Sequence, residues 1–260
     1  MSIVDPISSG RGRRETKTLV SRLRAGAAPL ITLLFPRRCL GCRVSLKGES
    51  SDELCPDCAR SMRRITAQRC PRCGEQIGPH SPTDTRCPSC RDMPLVFTRA
   101  TAPCKHDGAA RQMVLGLKYG RRMSVLRRLA TLMIEDLGQA GFMDQVDVIV
   151  PVPLHIRQRW RRGFNQAELL AKRIGKRFSV PVCTGALRRI RDTGSQARLT
   201  RAARLRNLKD AFQVTDGEVF QEKTILLCDD VLTTGATATE CSRALKRAGA
   251  KRIYVSVATR

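Results

Sequence analysis

The 260-residue sequence is short of acid: 23 Asp and Glu stand against 48 Lys and Arg, a formal charge of +25 at neutral pH. That imbalance argues against a neutral, inert surface. It points to polyanions (nucleic acid, phosphorylated ligands or an anionic membrane face), or else to a basic exterior that is merely solvated. No run of about 18 apolar residues occurs, so nothing reads as a bilayer span. The N-terminal region lacks the apolar core and small-residue cleavage site of an export signal. The expected location is therefore the cytoplasm, with the inner face of the membrane as the alternative. There is no Gly-Lys-Thr of a Walker loop and no Gly-x-Gly-x-x-Gly dinucleotide fingerprint. Tryptophan is present once, at Trp160. Cysteine is not scarce: there are 12. In a reducing compartment they are expected as thiolates on metal rather than as disulfides.

What is there centres on Thr224 to Thr237. Ile225 to Cys228 is a short continuous apolar run, the signature of a strand buried on both faces of a parallel sheet. Asp229 and Asp230 stand at its carboxyl end. Thr233-Thr234-Gly235-Ala236-Thr237 then opens a helix expected to run to about Ala248, with Gly249 closing it. The helix start offers unpaired N–H groups and the positive end of a dipole to a phosphate. Gly235 lets the backbone come close, and the threonine hydroxyls add donors. Ionised carboxylates accept hydrogen bonds and repel phosphate, so Asp229 and Asp230 suit hydroxyl groups. A phosphate beside a vicinal diol describes a ribose phosphate. An ordinary turn with two solvated carboxylates is the bland alternative, and it leaves costly charge at a buried strand edge without a use.

Four C-x-x-C knuckles lie within about fifty residues. They are Cys39 and Cys42, Cys55 and Cys58, Cys70 and Cys73, and Cys87 and Cys90. Each knuckle supplies two thiolates from one tight turn, and zinc takes four in a tetrahedron. Two structural Zn²⁺ sites follow, paired sequentially or cross-braced. With all-thiolate ligand sets neither keeps an open position for catalysis. The segment has few large apolar residues, so metal would supply much of its folding energy. Arg60, Arg63, Arg64, Arg69 and Arg72 lie between the knuckles and suit either nucleic-acid contact or a solvated face. Cys104, Cys183, Cys228 and Cys241 stand alone and read as buried small hydrophobes.

Leu227 to Thr237 resembles the phosphoribosyl pyrophosphate (PRPP) signature of type I phosphoribosyltransferases. Together with Arg162-Gly163-Phe164-Asn165-Gln166-Ala167, the Leu-Lys-Tyr-Gly stretch ending at Gly120 and the double zinc ribbon, it resembles the ComF/ComFC competence family. The resemblance covers most of the chain from about Leu33 onward. It implies a fold and a set of roles. Asp229 and Asp230 would hold the ribose hydroxyls, and Thr233, Thr234, Gly235, Ala236 and Thr237 would cradle the phosphate. The loop after the strand at Val146 to Val150 would receive pyrophosphate through backbone N–H groups at Val152, Leu154 and His155. Pro151 and Pro153 have no N–H and shape that loop. His155 could equally cap a helix or face solvent. Mg²⁺ would accompany PRPP. The family also implies a part in natural transformation, with single-stranded DNA and a helicase or inner-membrane uptake machinery as partners. Transfer of ribose phosphate to a nitrogenous acceptor is the alternative.

The remaining chain fits that frame. Residues 1 to 28 read as a disordered basic head, 29 to 94 as the double zinc ribbon, and 95 to 260 as a phosphoribosyltransferase-like domain. Leu30 to Phe35 could form a helix docked on the zinc module. Strands are expected at Leu95–Ala102, Val146–Val150, Ala211–Val214, Ile225–Cys228 and Ile253–Val257, with short pieces at Val180–Val182 and Ala186–Leu187. Helices are expected after Gly108, from Arg121 to Leu137 with stops at Gly138 and Gly141, and after Gln166. Strands interleaved with helices imply an α/β parallel sheet with ligands at its carboxyl ends. Arg157, Arg159, Arg161 and Arg162 surround Trp160, which either stacks on a base or packs on the helix starting near Gln166. Residues 188 to 209 carry eight Lys or Arg against one acid, Asp192. In the resembled fold this segment is a hood that closes over PRPP and excludes water. Arg198 and Arg201 are its candidate basic contacts, toward PRPP or toward DNA phosphates.

Overall fold

The computed structural model describes residues 37–46, 53–66, 68–78, 81, 86–120, 122–193 and 200–260, together with the side chains of these except at 201, 202, 204 and 205. The basic head, the helix expected at Leu30 to Phe35, and Arg198 lie outside the described residues.

A parallel sheet of four strands forms the centre, in the order β1 (Arg99–Thr101), β6 (Arg252–Thr259), β5 (Thr224–Val231) and β2 (Val148–Pro151). Its register sets Leu226 beside Tyr254 and Ile149, and Asp229 beside Val257. Val182 extends the sheet past β2 by one bridge to Ile149. Strand alternation divides the core in two. Ile225, Leu227, Val150, Val255 and Val257 face one side, with helix α7 (Ala236–Arg247) and the second zinc ribbon. Leu226, Cys228, Ile149 and Tyr254 face the other, with α2 (Gly108–Tyr119), α3 (Met123–Ala140) and α5 (Gln166–Phe178). Each fully buried aliphatic side chain in these layers contributes roughly 1.5–3 kcal/mol.

Two short strands, β3 (Leu187–Arg189) and β4 (Phe212–Val214), pair antiparallel above the carboxyl end of the sheet. With α6 (Arg201–Leu208) they form a hood resting on α7. The amide of Asp210 donates to Glu240 on α7 at 3.4 Å, and Glu240 is itself buried beside Arg243.

Three expectations shift. The helix expected to stop at Gly138 continues to Ala140, because Gly138 fits the helix and the left-handed residue that ends it is Gly141 at φ +68°. The expected strand at Leu95 to Ala102 shortens to Arg99–Thr101, since Leu95 and Thr98 instead serve contacts with the zinc ribbon through Arg72. The arginine run around Trp160 is a helix, α4 (Ile156–Arg162), closed by Gly163 at φ +80°. Among the described residues, no helix is long and apolar enough to cross a membrane.

The zinc-bearing segment, which includes the short helix α1 (Pro56–Arg60), shares its core with the sheet. Cys70, Cys73, Cys87, Cys90, Met93 and Phe97 belong to the same buried cluster as Ile225 and Val255. Ala100 N donates to Arg72 O at 2.9 Å, and Ile65 N donates to Pro103 O at 2.8 Å. The ribbon thereby covers the edge strand β1, which would otherwise present unpaired backbone groups.

Candidate ligand and metal sites

The eight knuckle cysteines gather sequentially. Cys39, Cys42, Cys55 and Cys58 bring their sulfurs within 4.8 Å of one another, as do Cys70, Cys73, Cys87 and Cys90. The cross-braced alternative is thereby set aside. Sulfur separations of 3.7 Å for Cys42–Cys55, 3.6 Å for Cys70–Cys90 and 3.5 Å for Cys73–Cys87 are far beyond a disulfide bond. They match the edge of a tetrahedron whose centre lies about 2.3 Å from each sulfur, the usual Zn–S distance. Backbone amides also point at the sulfurs, with Cys55 N to Cys39 Sγ at 3.2 Å and Cys87 N to Cys70 Sγ at 3.4 Å. Burial raises Cys39, but amides of Cys42, Cys55 and Gly41 outweigh it and hold the thiol at about 6. Cys70 is held at about 6 in the same way, its amide donors including Cys73, Cys87 and Arg72. Each site thus contains a sulfur already disposed to be thiolate, and both are structural Zn²⁺ sites.

At the carboxyl end of the sheet, β5 delivers its two carboxylates to opposite faces. Asp229 lines a tight recess of about 30 Å³ with Thr233, Thr234, Gly235, Ala236, Thr237 and Val257. Gly235 caps α7 in the left-handed conformation, at φ +73°. A side chain there would meet Met93 and Leu95, each 3.2 Å away, so the segment after the second ribbon lies directly against this loop. Thr234 Oγ1 accepts from Ala236 N at 3.4 Å, which shapes the turn. The recess has the size of one small polar group at a helix amino terminus, the arrangement that favours an anion.

Asp230 turns the other way. It is 3 % exposed, and its Oδ2 meets Lys118 Nζ at 2.7 Å. The two acids still meet: the Asp230 amide donates to Asp229 Oδ1 at 2.8 Å, and their side chains lie in hydrogen-bond contact. Period-two alternation puts Asp229 in the recess and Asp230 in an ion pair beneath it. Burial, then the neighbouring Asp230, push the Asp229 carboxyl well above the usual range, while Lys118 pulls it back. Sequence reasoning gave Lys118 no role. Its only sequence signal was its place in the Leu-Lys-Tyr-Gly stretch. The next residue, Tyr119, lies under the Arg162 guanidinium at 5.3 Å. The two short motifs at Lys118–Gly120 and Arg162–Ala167 therefore meet beside the acidic pair.

The loop after β2 is partly as expected. Val152 is buried, and its amide already donates to Cys228 O at 2.8 Å, which removes it as a ligand donor. Asn165 caps α5 through Ala167 N at 3.1 Å and donates its own side-chain amide to Val152 O at 3.0 Å, fixing the loop. Among the described residues, the amides of Leu154 and His155 donate no backbone hydrogen bond. His155 occupies the capping position of α4, and its carbonyl accepts from Gln158 N and Arg159 N. Its Nδ1 lies 3.7 Å from Asp192 of the hood, whose carboxylate also lies 3.5 Å from Arg157. The hood thus reaches the loop after β2 through Asp192.

Within the hood, the half-buried Arg189 lies near enough to Asp229 to feel its charge. Burial pulls it below its ordinary range, against the pull of Cys241, Asp192 and Asp229. Its guanidinium stacks on Phe212 at 5.8 Å and donates to Thr193. The sequence reading counted Arg189 among the eight hood bases without singling it out. Arg201 opens α6, and its side chain lies outside the described residues. Trp160 is 81 % exposed, so it does not pack on the following helix. Cys104, Cys228 and Cys241 are buried, as expected of small hydrophobes, while Cys183 is half-buried.

Residues 30–91 match the double zinc ribbon domain family, and residues 122–260 match the phosphoribosyl transferase domain family. Curated relatives align over most of the chain. "DNA utilization protein YhgH" of Salmonella typhi is 33% identical over 227 residues, covering 86% of this chain and 96% of that protein. "Competence protein F" of Haemophilus influenzae is 27% identical, covering 85% and 96%. "Competence protein ComFC" of Bacillus subtilis is 24% identical, covering 76% and 80%.

Proposed function

Since this chain belongs to the ComF/ComFC competence family, a phosphoribosyl transferase domain behind a double zinc ribbon, we propose that it binds PRPP and handles incoming single-stranded DNA in natural transformation. The observation that carries the PRPP half is the junction of β5 and α7. A carboxylate that accepts hydroxyl donors borders a hydroxyl-lined recess at a helix amino terminus. Asp229 and Asp230 hold the ribose diol, with Lys118 paired to Asp230 at the strand end. Thr233, Thr234, Gly235, Ala236 and Thr237 cradle the terminal phosphate. Leu154 and His155 offer backbone amides to pyrophosphate, and Arg189 of the hood approaches from above. Mg²⁺ neutralises the pyrophosphate when PRPP is bound.

The DNA half draws on the names of the relatives and on the charge of +25. The protein works in the cytoplasm at the inner face of the membrane, where a helicase or uptake machinery hands it the strand. A second reading, transfer of ribose phosphate to a nitrogenous acceptor, is favoured by the hood: a lid tied to the loop after β2 through Asp192 suits a site that must exclude water.

The test is complementation. A naturally transformable bacterium lacking its own relative receives this chain or its Asp229→Asn variant, and transformants are counted against electroporated controls. Restoration by the wild type and not by the variant is expected. Equal restoration by both would separate DNA handling from PRPP.

A further inference from the structure

A second recess lies apart from the PRPP loop. It is an open groove of about 620 Å³ at the amino-terminal ends of β1 and β6, between the second zinc ribbon and the end of α3. Arg72 and Arg86 line it from the ribbon and Arg99 from the first residue of β1. Arg252 joins them at the rim, where it donates to Gln145 Oε1 at 2.8 Å.

These arginines differ from their neighbours in one respect. On the same ribbon segment Arg63, Arg64 and Arg69 pair with Asp107, Glu135 and Asp136 and hold the module in place. Among the described residues, Arg72, Arg86, Arg99 and Arg252 pair with no carboxylate. Arg72 donates to the carbonyls of Thr98 and Leu95, Arg86 to Met93 and Arg99 to Ala140. Backbone carbonyls orient the guanidinium forks without neutralising them. Arg86 repels Arg72, which the Cys90 and Cys70 thiolates offset in part, and guanidinium groups gathered around one concavity suit a polyanion. The planar fork matches phosphate oxygens. Beneath them the Phe142 and Tyr254 rings stack at 4.1 Å, and Tyr254 Oη donates to Gln145 Oε1 at 3.1 Å, so the floor is rigid.

We propose that this arginine-lined groove is where single-stranded nucleic acid binds, through consecutive phosphates on Arg72, Arg86, Arg99 and Arg252. The assignment rests on the DNA-handling reading above and gives it a location. A single strand can enter the recess and lay bases against exposed guanidinium planes. A duplex is too wide to enter and meets only the rim. The PRPP recess lies at the other end of the sheet: Asp229 is level with Val257, three residues along β6 from Tyr254, on the order of 10 Å or more away. Both ligands therefore bind together.

The test is fluorescence anisotropy with a labelled oligothymidylate and the full chain at several salt concentrations. The Arg86→Ala/Arg99→Ala variant is compared with Arg173→Ala/Lys176→Ala, which removes equal charge from an exposed face of α5. Zinc content and PRPP binding report that each variant is folded. The groove variant is expected to lose at least tenfold in affinity and to flatten the salt slope by about 1.4, two phosphate contacts' worth. The control variant and saturating PRPP should change little. Equal losses in both variants, or equal affinity for a duplex, would overturn the groove while leaving DNA binding intact. No binding by the wild type would overturn the DNA-handling reading itself.

Discussion

The two zinc ribbons carry the same four-thiolate ligand set and lean on different things. In the first, Cys42 is exposed and Cys58 half-buried. Its docking is local: Leu40 sits in the space left by Gly116 on α2, and Glu53 meets Arg122 and Ser124 at the start of α3. In the second, all four cysteines are buried and join the core on the α7 face of the sheet, whereas of the first only Cys39 and Cys55 are buried, in the core on the opposite face. The chain leaving it places Met93 and Leu95 against Gly235 of the phosphate loop, and its Arg72 carbonyl accepts from β1. One ribbon is a staple on a helical face. The other is part of the scaffold on which the ligand site is built. Identical metal chemistry therefore predicts unequal consequences when the metal is lost.

The largest contrast comes from Cys73→Ser against Cys42→Ser. Structural zinc sites supply about 10–16 kcal/mol to small domains. Losing the second should cost roughly 5 kcal/mol or more of stability and weaken PRPP binding at least tenfold. Losing the first should release one zinc and leave PRPP affinity within about twofold. Zinc stoichiometry, thermal denaturation and PRPP titration on both variants check this, and equal effects on PRPP would erase the distinction.

Next is the pair beneath the site. Lys118→Met leaves Asp230 buried without its cation and should cost about 3–5 kcal/mol by urea denaturation. Lys118→Met/Asp230→Leu should recover most of that. A single variant with no cost would mean the pair does not hold the strand end.

Asp229→Asn should act with the opposite sign. The folded protein holds the Asp229 carboxyl above its ordinary range, chiefly through burial. The unfolded chain therefore gives up its proton first, and the wild type loses stability as pH rises from about 4 toward the folded value. Above that window the asparagine variant should be the more stable, by about 1 kcal/mol or ~2–4 °C in Tm. Over the same window wild-type PRPP affinity should rise, since the ionised carboxylate is the form that accepts hydroxyl donors. A variant less stable at every pH would contradict the assignment.

A last pair of variants separates site from surface. Gly235→Ala forces a side chain into the left-handed region and should cost about 1–2 kcal/mol. Trp160→Ala, on an exposed face, should stay within about 0.5 kcal/mol. Chemical denaturation of both resolves the difference.

Much of this was readable from residues because its chemistry is local. A C-x-x-C turn carries its own metal geometry, and an apolar run followed by Asp-Asp and a Thr-Gly loop carries its own strand, edge and helix start. What stayed hidden is what the fold brings together. Asp230 gave no sign of its partner Lys118, 112 residues away by numbering. Val152 looked like a pyrophosphate donor until the sheet took its amide. The helix Ile156–Arg162 was masked by its own arginines, which carry no apolar period. Arg72 was indistinguishable from Arg63, Arg64 and Arg69 until those three found carboxylates and it did not.

The most direct test of the central claim is calorimetric titration of PRPP with Mg²⁺ into the wild type and into Asp229→Asn. The wild type should bind, and the variant should bind at least tenfold more weakly, a difference of about 1.4 kcal/mol. A wild type that binds no PRPP, or a variant that binds it equally well, would contradict the account.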